Sequence, residues 1–464
     1  MAGAGLKFAG QFEPRAAPAT RPGFASKKVD LAARMQATLG AVRIAKPTSN
    51  LFRDREPPPA IKLDVSGFDE MLGVDRAAHM LDTEAMASFE SLVDATLPQD
   101  LLPAVVPQLK SITIGGAIAG LGIESSSFRY GLVHETVEEM EVLLASGEVV
   151  VCTAENEHRE LFFGLPNSFG TLGYTLRVKA KAVAAKPFVA LRHVRFDDAK
   201  AYFRALERAC ADKGNDFVDG VVFERGQHYL TLGRFVDEAP YTSDYTYMNV
   251  FYRSIAAREE DYLSAHDYIW RWDTDWFWCS RVMGVQAPIV RRLLGRKRLN
   301  SSFYKKVADL NNRWRLRQRF RRLLGTYQET VIQDVDVPVE NAPVFLDFFQ
   351  REIGLTPVWI CPFRAFDRSR RFPLFPTDPG KLYINFGFWD AVTTAKPHPQ
   401  GHFNRLIEAK VVELGGTKSL YSDSYFTEGE FWRLYDGEAY ERLKAKYDPK
   451  RRLGDLYRKC VLRE

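Results

Sequence analysis

Cysteine is scarce in this 464-residue chain: Cys152, Cys210, Cys279, Cys361 and Cys460 are the whole complement. They lie far apart, form no CxxC pair and are odd in number. That excludes a disulfide framework and a structural zinc site, leaves no metal site to expect, and suits a reducing cytoplasm. Long apolar runs are missing too, since no stretch approaches the roughly 20 consecutive apolar residues of a membrane-spanning helix. The opening residues, MAGAGLKFAGQFEPRAAPATRP, lack the apolar core and small-residue cleavage site of a secretory signal. With 46% hydrophobic and 27% charged residues, the composition is that of a globular protein. The length calls for two or more domains. A cytoplasmic, multi-domain protein is expected.

Acidic residues are nearly absent from one segment. Between Arg291 and Arg322 stand 13 Lys/Arg and the single acid Asp309, although the net charge of the whole chain is only +5. One segment is therefore basic, and the remainder is slightly acidic.

The first 28 residues, rich in Ala, Gly and Pro, read as a loose arm. Alternation of polar and apolar residues predicts a strand over Ala60–Ser66, and Phe89–Leu97 reads as a short helix stopped by Pro98. A strand pair turns at Ser146-Gly147. The clearest alternation, Gly173–Val183, is a strand with its basic side chains on one face. After Pro187 aromatics multiply, placing a domain boundary near residue 185. Strands are expected at Phe188–Phe196, Gly220–Glu224, Pro357–Phe363 and Lys381–Gly387. Helices are expected at Ala199–Cys210, Glu428–Tyr435 and Gly437–Lys446.

The stretch PQLKSITIGGAIAGLGIESSS, residues 107–127, is the most informative. Its glycines allow close backbone approach to a ligand, and its free N–H groups and serines offer an anion-binding concavity. It is neither a Walker loop, lacking Gly-Lys-Ser/Thr, nor a G-x-G-x-x-G dinucleotide fingerprint. The alternative is a small-residue loop that only permits tight packing. A second glycine element, Asn167–Gly173, runs directly into the alternating strand, which makes a ligand shared by the two more plausible than either alone.

The order ITIGGAIAGLGIESSSFRYG, LASGEVVVCT and ELFFGLPNSFGTLGYTLRV resembles the FAD-binding domain of the vanillyl-alcohol oxidase, PCMH-type flavoprotein family. Within that family it most resembles the delta-24 sterol reductase branch. Further on, PVWICPF, LYINFG, LYSDSYFTEGEFWRLYDGEAYERLK and the final YDP and LYRKCV are similar to the carboxy-terminal half of those reductases. KPTSNLFR (Lys46–Arg53) is more similar to bacterial relatives that reduce methylene-branched fatty acyl chains of phospholipids. The resemblance implies an α+β fold: a PCMH-type FAD-binding domain plus an α/β cap domain with an antiparallel sheet. It implies the flexible arm at 1–28, the flavin domain at 29–185, the cap at 186–440 and a segment 441–464 returning to the flavin domain. It places FAD against Thr113, Gly115, Gly116, Gly120, Gly122, Ser125 and Ser126, and against Gly170, Thr171 and Gly173.

One departure stands out. The usual Arg-Gly-x-Gly-His phosphate loop is absent, and Lys46–Arg53 occupies its place. Noncovalent FAD is therefore expected, with Ser49, Asn50 and Arg53 as phosphate contacts; for Arg53 the competing reading is a solvated loop arginine. A flavin passes hydride to C=C, and a protein acid supplies the proton. Asp334, in a Gln333-Asp334 pair resembling that of the sterol reductases, and Tyr383 and Tyr425 are the candidate catalytic residues, with Lys410 and Tyr421 on matching segments. The competing readings are a surface strand-end carboxylate for Asp334 and a core aromatic for Tyr383. His134 is expected to orient the loop or to be exposed.

Trp270, Trp272, Trp276 and Trp278 cluster just before the basic run. Tryptophan favours the bilayer interface and clustered cations favour anionic lipid. Leu316, Phe320, Leu323 and Leu324 share a helical face beside Arg313, Arg317 and Arg321. Segment 262–325 is thus expected to face an anionic membrane, with nucleic acid, or a solvated helix covering a buried Trp cluster, as alternatives. The implied activity is an FAD-dependent oxidoreductase of a lipid C=C bond, reducing a methylene-branched or unsaturated acyl chain. NADPH is the implied electron donor and a lipid methyltransferase the expected upstream partner, with the enzyme peripheral on the membrane. A sterol reductase, a desaturase of a methyl-branched chain, or a non-catalytic flavin- or lipid-binding partner are the alternatives.

Overall fold

The computed structural model describes residues 23–46, 52–53, 58–314 and 326–464, with the backbone alone for 308–314. Two antiparallel sheets dominate. The first orders its strands Met71–Asp75, Met80–Glu84, Tyr174–Ala184, Val137–Leu143 and Val149–Thr153, and Leu101–Pro103 pairs with the far end of the central one. Period-two alternation makes Tyr174–Ala184 work: Leu176, Val178 and Ala180 point into the core. Its outward cations meet acids on neighbouring strands, Lys179 on Glu139 at 2.8 Å and Lys181 on Glu138 at 2.9 Å.

Beside this sheet, Val42–Ala45 and Ile61–Asp64 pair in parallel and pack with the helix Phe24–Ala37. That helix corrects the expected arm at its inner end. Phe24 packs edge-on against Phe68 at 6.1 Å and Lys27 pairs with buried Glu84 at 2.5 Å, so residues 24–28 are folded.

The chain crosses over between Ala184 and Phe188. The second sheet has eight strands among the described residues, in the order Glu260–Ser264, Phe188–Phe196, Gln227–Val236, Phe217–Glu224, Val358–Phe363, Tyr383–Thr394, Tyr327–Pro338 and Thr417–Lys418. Helices Ala199–Ala211, Ala342–Glu352 and His402–Glu413 cover one face, with Phe203, Phe345 and Ile407 packing on Val335, Phe386 and Phe388. Alternation turns Gln333 to these helices, where its amide donates to Asn404 Oδ1. It turns Asp334 and Asp336 to the opposite face, toward the first sheet. One hydrophobic core runs from Ile114, Ile118 and Leu172 of the first unit to Trp272, Phe277 and Trp359 of the second.

The last segment returns to the first unit. Lys444 Nζ, on the helix Gly437–Tyr447, donates to Thr171 O at 2.6 Å and to Asp448 Oδ2 at 2.7 Å, and Val42 N donates to Arg452 O at 2.8 Å. Among the described residues no helix is long and apolar enough to cross a membrane.

Candidate functional site

A cavity of about 1190 Å³ lies between the two units. At one end are Lys46, Thr113, Gly115, Gly116, Gly120, Ser168, Gly170 and Gly173; at the other are Trp276, Phe277, Cys279, Asp334, Trp389 and Tyr421. Phe52 joins the aromatic end, its ring 5.6 Å from Trp276.

The segment expected as a glycine loop is a short helix over Ile114–Gly120, capped by Thr113, whose Oγ1 accepts from Gly116 N at 3.2 Å. Leu121 follows in the left-handed region at φ 62°, which ends the helix. At Gly116 a Cβ would stand 2.8 Å from Thr113 Oγ1 and 3.6 Å from Lys46 Nζ, so the missing side chain leaves a cradle beside a lysine. Gly170, at φ +77°, turns the second glycine element back toward the cavity.

Of the expected cofactor contacts, Thr113, Gly115, Gly116, Gly120, Gly122, Gly170 and Gly173 share this cavity wall. Three do not. Ser125 Oγ donates to Glu124 Oε1 at 2.8 Å and meets the Tyr268 hydroxyl at 3.0 Å; Ser126 Oγ donates to Ala104 O at 2.9 Å; Thr171 Oγ1 donates to Ser168 O at 2.8 Å. All three hydroxyls are buried and bonded away from the cavity. Arg53 is neither a solvated loop arginine nor part of the cavity wall. It is buried, stacks over Phe169 at 4.7 Å, and donates through Nη1 to Leu420 O and to Cys460 Sγ. Ser49 and Asn50 lie outside the described residues. Reading the sequence missed Lys46 and Ser168, which sit inside the segments it singled out; a backbone-adjacent lysine before a proline offered no signal of its own.

Of the three candidate catalytic residues Asp334, Tyr383 and Tyr425, Asp334 alone reaches the cavity. It is half-buried and lines that void. Burial, reinforced by the negative charge of Asp336, holds its carboxyl well above the usual carboxylate range, with the Tyr421 hydroxyl opposing the shift. Its Oδ1 has no hydrogen-bond partner among the described residues. Tyr421 accepts from Trp389 Nε1 at 3.0 Å, which orients the phenol and leaves its proton for Asp334 or a ligand. Tyr421, on one of the resembling segments, therefore belongs to the site more than the tyrosines favoured from sequence.

Tyr383 is a core aromatic, stacked on Phe363 at 5.5 Å with its hydroxyl accepting from Asp378 N at 3.0 Å. Tyr425 is held between Arg405 and Arg463, the latter donating to its hydroxyl at 3.0 Å, and burial pushes its pKa to about 12. Neither lines the cavity. Lys410 pairs with Glu413 at 2.6 Å on the outside of its helix. His134 is buried against Phe372 at 4.4 Å and burial drops its pKa to about 3, so it is a neutral core side chain. Cys279 lines the cavity as a thiol, burial pushing it to about 12.

The tryptophan cluster faces inward rather than toward a membrane. Trp270, Trp272, Trp276 and Trp278 are all buried; Trp272 stacks on Phe277 at 4.9 Å, and Phe277 on Trp389 at 4.2 Å. Of the four, Trp276 lines the cavity beside Phe277 and Trp389, and Trp272 and Trp278 pack against Phe277 behind that wall. The amphipathic face expected over 313–324 lies outside the described side chains.

An observation of the structure itself supports a flavin dinucleotide. A glycine-lined cradle beside Lys46 suits phosphates, Ser168 Oγ is buried without a partner among the described residues, and the far end offers aromatic faces for a ring system. The volume exceeds that of an ordinary small-ligand pocket.

Residues 32–153 match the FAD binding domain family. Over 422 residues the chain is 25% identical to Delta(24)-sterol reductase of Arabidopsis thaliana, a likeness covering 83% of this chain and 74% of that protein. Identity to Delta(24)-sterol reductase of Homo sapiens is 27% over 426 residues, covering 83% and 73%. Cytokinin dehydrogenase 3 of Arabidopsis thaliana is 26% identical over 155 residues, covering 33% of this chain and 29% of that one. The likeness to the sterol reductases thus extends well past the matched flavin segment. The chain is an FAD-dependent oxidoreductase, an α+β protein with a PCMH-type FAD-binding domain, related along most of its length to the Delta(24)-sterol reductases.

Proposed function

We propose that the protein reduces a carbon–carbon double bond in a membrane lipid, a methylene-branched or unsaturated fatty acyl chain, with NADPH as electron donor. Asp334 carries this reading. A carboxyl whose pKa is raised by burial, with one oxygen unpartnered among the described residues, stands in an aromatic cavity wall where a proton must be delivered to an apolar substrate.

FAD, when bound, would supply hydride chemistry at the alkene, with NADPH as the source of its electrons. Lys46 and the glycine cradle hold its phosphates without a covalent link. Trp276, Phe277 and Trp389 exclude water and present an apolar surface to the acyl chain. Asp334 gives its proton to the second alkene carbon, so that C=C and two hydrogens become CH–CH, and Tyr421 stabilises the carboxylate that remains. Solvent reprotonates Asp334 before the next turnover. Such a substrate arises by one-carbon transfer to an unsaturated chain, so a lipid methyltransferase would act upstream, and the enzyme works peripherally at the cytoplasmic face.

A second reading, reduction of a sterol side chain, is supported by the likeness to Delta(24)-sterol reductases, which covers 83% of the chain. An absorbance spectrum before and after anaerobic NADPH, followed by candidate lipids, tests both. Bleaching of the flavin bands with recovery on methylene-branched phospholipid supports the first reading. Recovery on a side-chain-unsaturated sterol alone supports the second. Bands that NADPH leaves unchanged overturn the nicotinamide-driven reaction.

A further inference from the structure

The tryptophans are buried, yet the segment that follows them leaves a different apolar surface uncovered. On the short helix Pro288–Leu294, Ile289 is 71% and Leu293 77% exposed, one helical turn apart on the same face. Val282 and Val307 add exposed apolar surface before and after it. The opposite side of the helix is pinned: Arg291 is buried and donates through Nη1 to Asp275 Oδ1 at 2.7 Å. The outward apolar pair is thus presented by a fixed element.

Along the chain its neighbours carry one sign of charge. From Trp276 to Ala308 the sequence contains no Asp or Glu, and Arg292, Lys297, Arg298 and Lys306 are exposed. Those cations that do find acids reach out of the segment, Arg296 to Asp244 at 2.8 Å and Arg281 to Asp390 at 3.0 Å. The second of these pairs sits next to Trp389, and the segment itself begins with Trp276, Phe277 and Cys279 of the cavity wall. Through Arg291 and Asp275 the apolar ridge is tied to the segment that carries Trp276 of the cavity wall.

We propose that the ridge of Ile289 and Leu293 docks on an anionic lipid bilayer, its apolar side chains entering the acyl boundary and the flanking Arg292, Lys297 and Arg298 meeting headgroup phosphates. A polyanion such as nucleic acid would use the cations but leave the exposed Ile and Leu without a role. The proposal goes beyond the reaction assigned above, and its test scores binding without turnover, so either can fail alone.

The test is flotation of the full-length, flavin-loaded protein with vesicles of phosphatidylglycerol in phosphatidylcholine and with phosphatidylcholine alone. The wild type floats with the anionic vesicles. Ile289→Asp with Leu293→Asp lowers the bound fraction at least tenfold while flavin absorbance and circular dichroism stay as in the wild type, and Arg292→Ala, Lys297→Ala, Arg298→Ala lowers it on anionic vesicles in a salt-dependent way. The proposal is overturned if the Ile289/Leu293 variant floats like the wild type, if the wild type prefers a duplex oligonucleotide to the vesicles, or if the substitutions instead turn a dimer into a monomer in sedimentation.

Discussion

Asp334 and Gly387 stand directly opposite each other on antiparallel strands, and a Cβ at 387 would lie 2.8 Å from Asp334 Oδ1 and 2.5 Å from the Trp389 ring. The absence of a side chain at this one position lets the buried carboxyl and the indole share the cavity wall. Gly387→Ala is expected to displace both and to slow lipid-dependent flavin reoxidation about 10²-fold, the usual cost of a misplaced reacting group. Reduction of the flavin by NADPH should change little. Stopped-flow traces of the two half-reactions separate these effects.

Asp334→Asn removes the proton but keeps the shape. Flavin reoxidation by the alkene is expected to fall about 10²- to 10⁴-fold, with NADPH reduction retained. Tyr421→Phe should cost less, since the phenol supports the carboxyl rather than replacing it. Because burial raises the pKa of Asp334, the wild-type reoxidation rate should persist to higher pH than an ordinary carboxyl would allow and decline once the proton is lost. Equal losses in both half-reactions would count against Asp334 as the donor.

Asp336, two residues on along the same face, is buried with Asn385 Nδ2 donating to it at 2.8 Å, and burial raises its pKa to about 7 from 3.8. Between these values the folded protein holds a proton that the unfolded chain has released. The stability contributed by the neutral carboxyl is complete below about pH 3.8 and is lost as pH rises through about 7. Glu135, raised to about 7 by burial, acts in the same direction. The urea midpoint should therefore drop between pH 5 and pH 8, and Asp336→Asn should flatten part of that slope.

Arg271 joins the units: Nη2 donates to Glu124 Oε1 at 2.8 Å and to Asp219 Oδ2 at 3.0 Å, and Asp219 also accepts from Trp359 Nε1 at 3.2 Å. All three charged groups are buried. Arg271→Met would strand two carboxylates and should cost about 3–5 kcal/mol. Denaturant titration should show it, and growth of a second, earlier transition would locate the loss at the junction of the units.

Lys46→Ala should weaken FAD. A charge-assisted contact is worth about 1.5–3 kcal/mol, which corresponds to about a ten- to hundredfold rise in Kd. Fluorescence titration of the apoprotein with FAD measures it directly; an unchanged Kd would place the phosphates elsewhere.

Local pattern alone carried the regular elements. Alternation over Gly173–Val183 and Phe188–Phe196 and the 3.6-residue period of Ala199–Cys210 each correspond to the observed strand or helix, because a half-buried element must present its apolar residues at its own period. The glycine segments were legible as places of close backbone approach for the same kind of reason, and the structure sets them in the cavity wall. What the sequence could not decide was sidedness. Gln333 and Asp334 are neighbours in the chain, but pleating sends one to the helices and the other to the cavity. The four tryptophans suit a membrane interface or a core equally well until the sheet behind them is placed. Tyr421, Tyr383 and Tyr425 sit on equally persuasive strings, and only packing sends one to the cavity and the others into hydrogen bonds elsewhere. Residue type and period are local properties; which face meets the void between two units depends on contacts hundreds of residues apart, and only the tertiary structure supplies them.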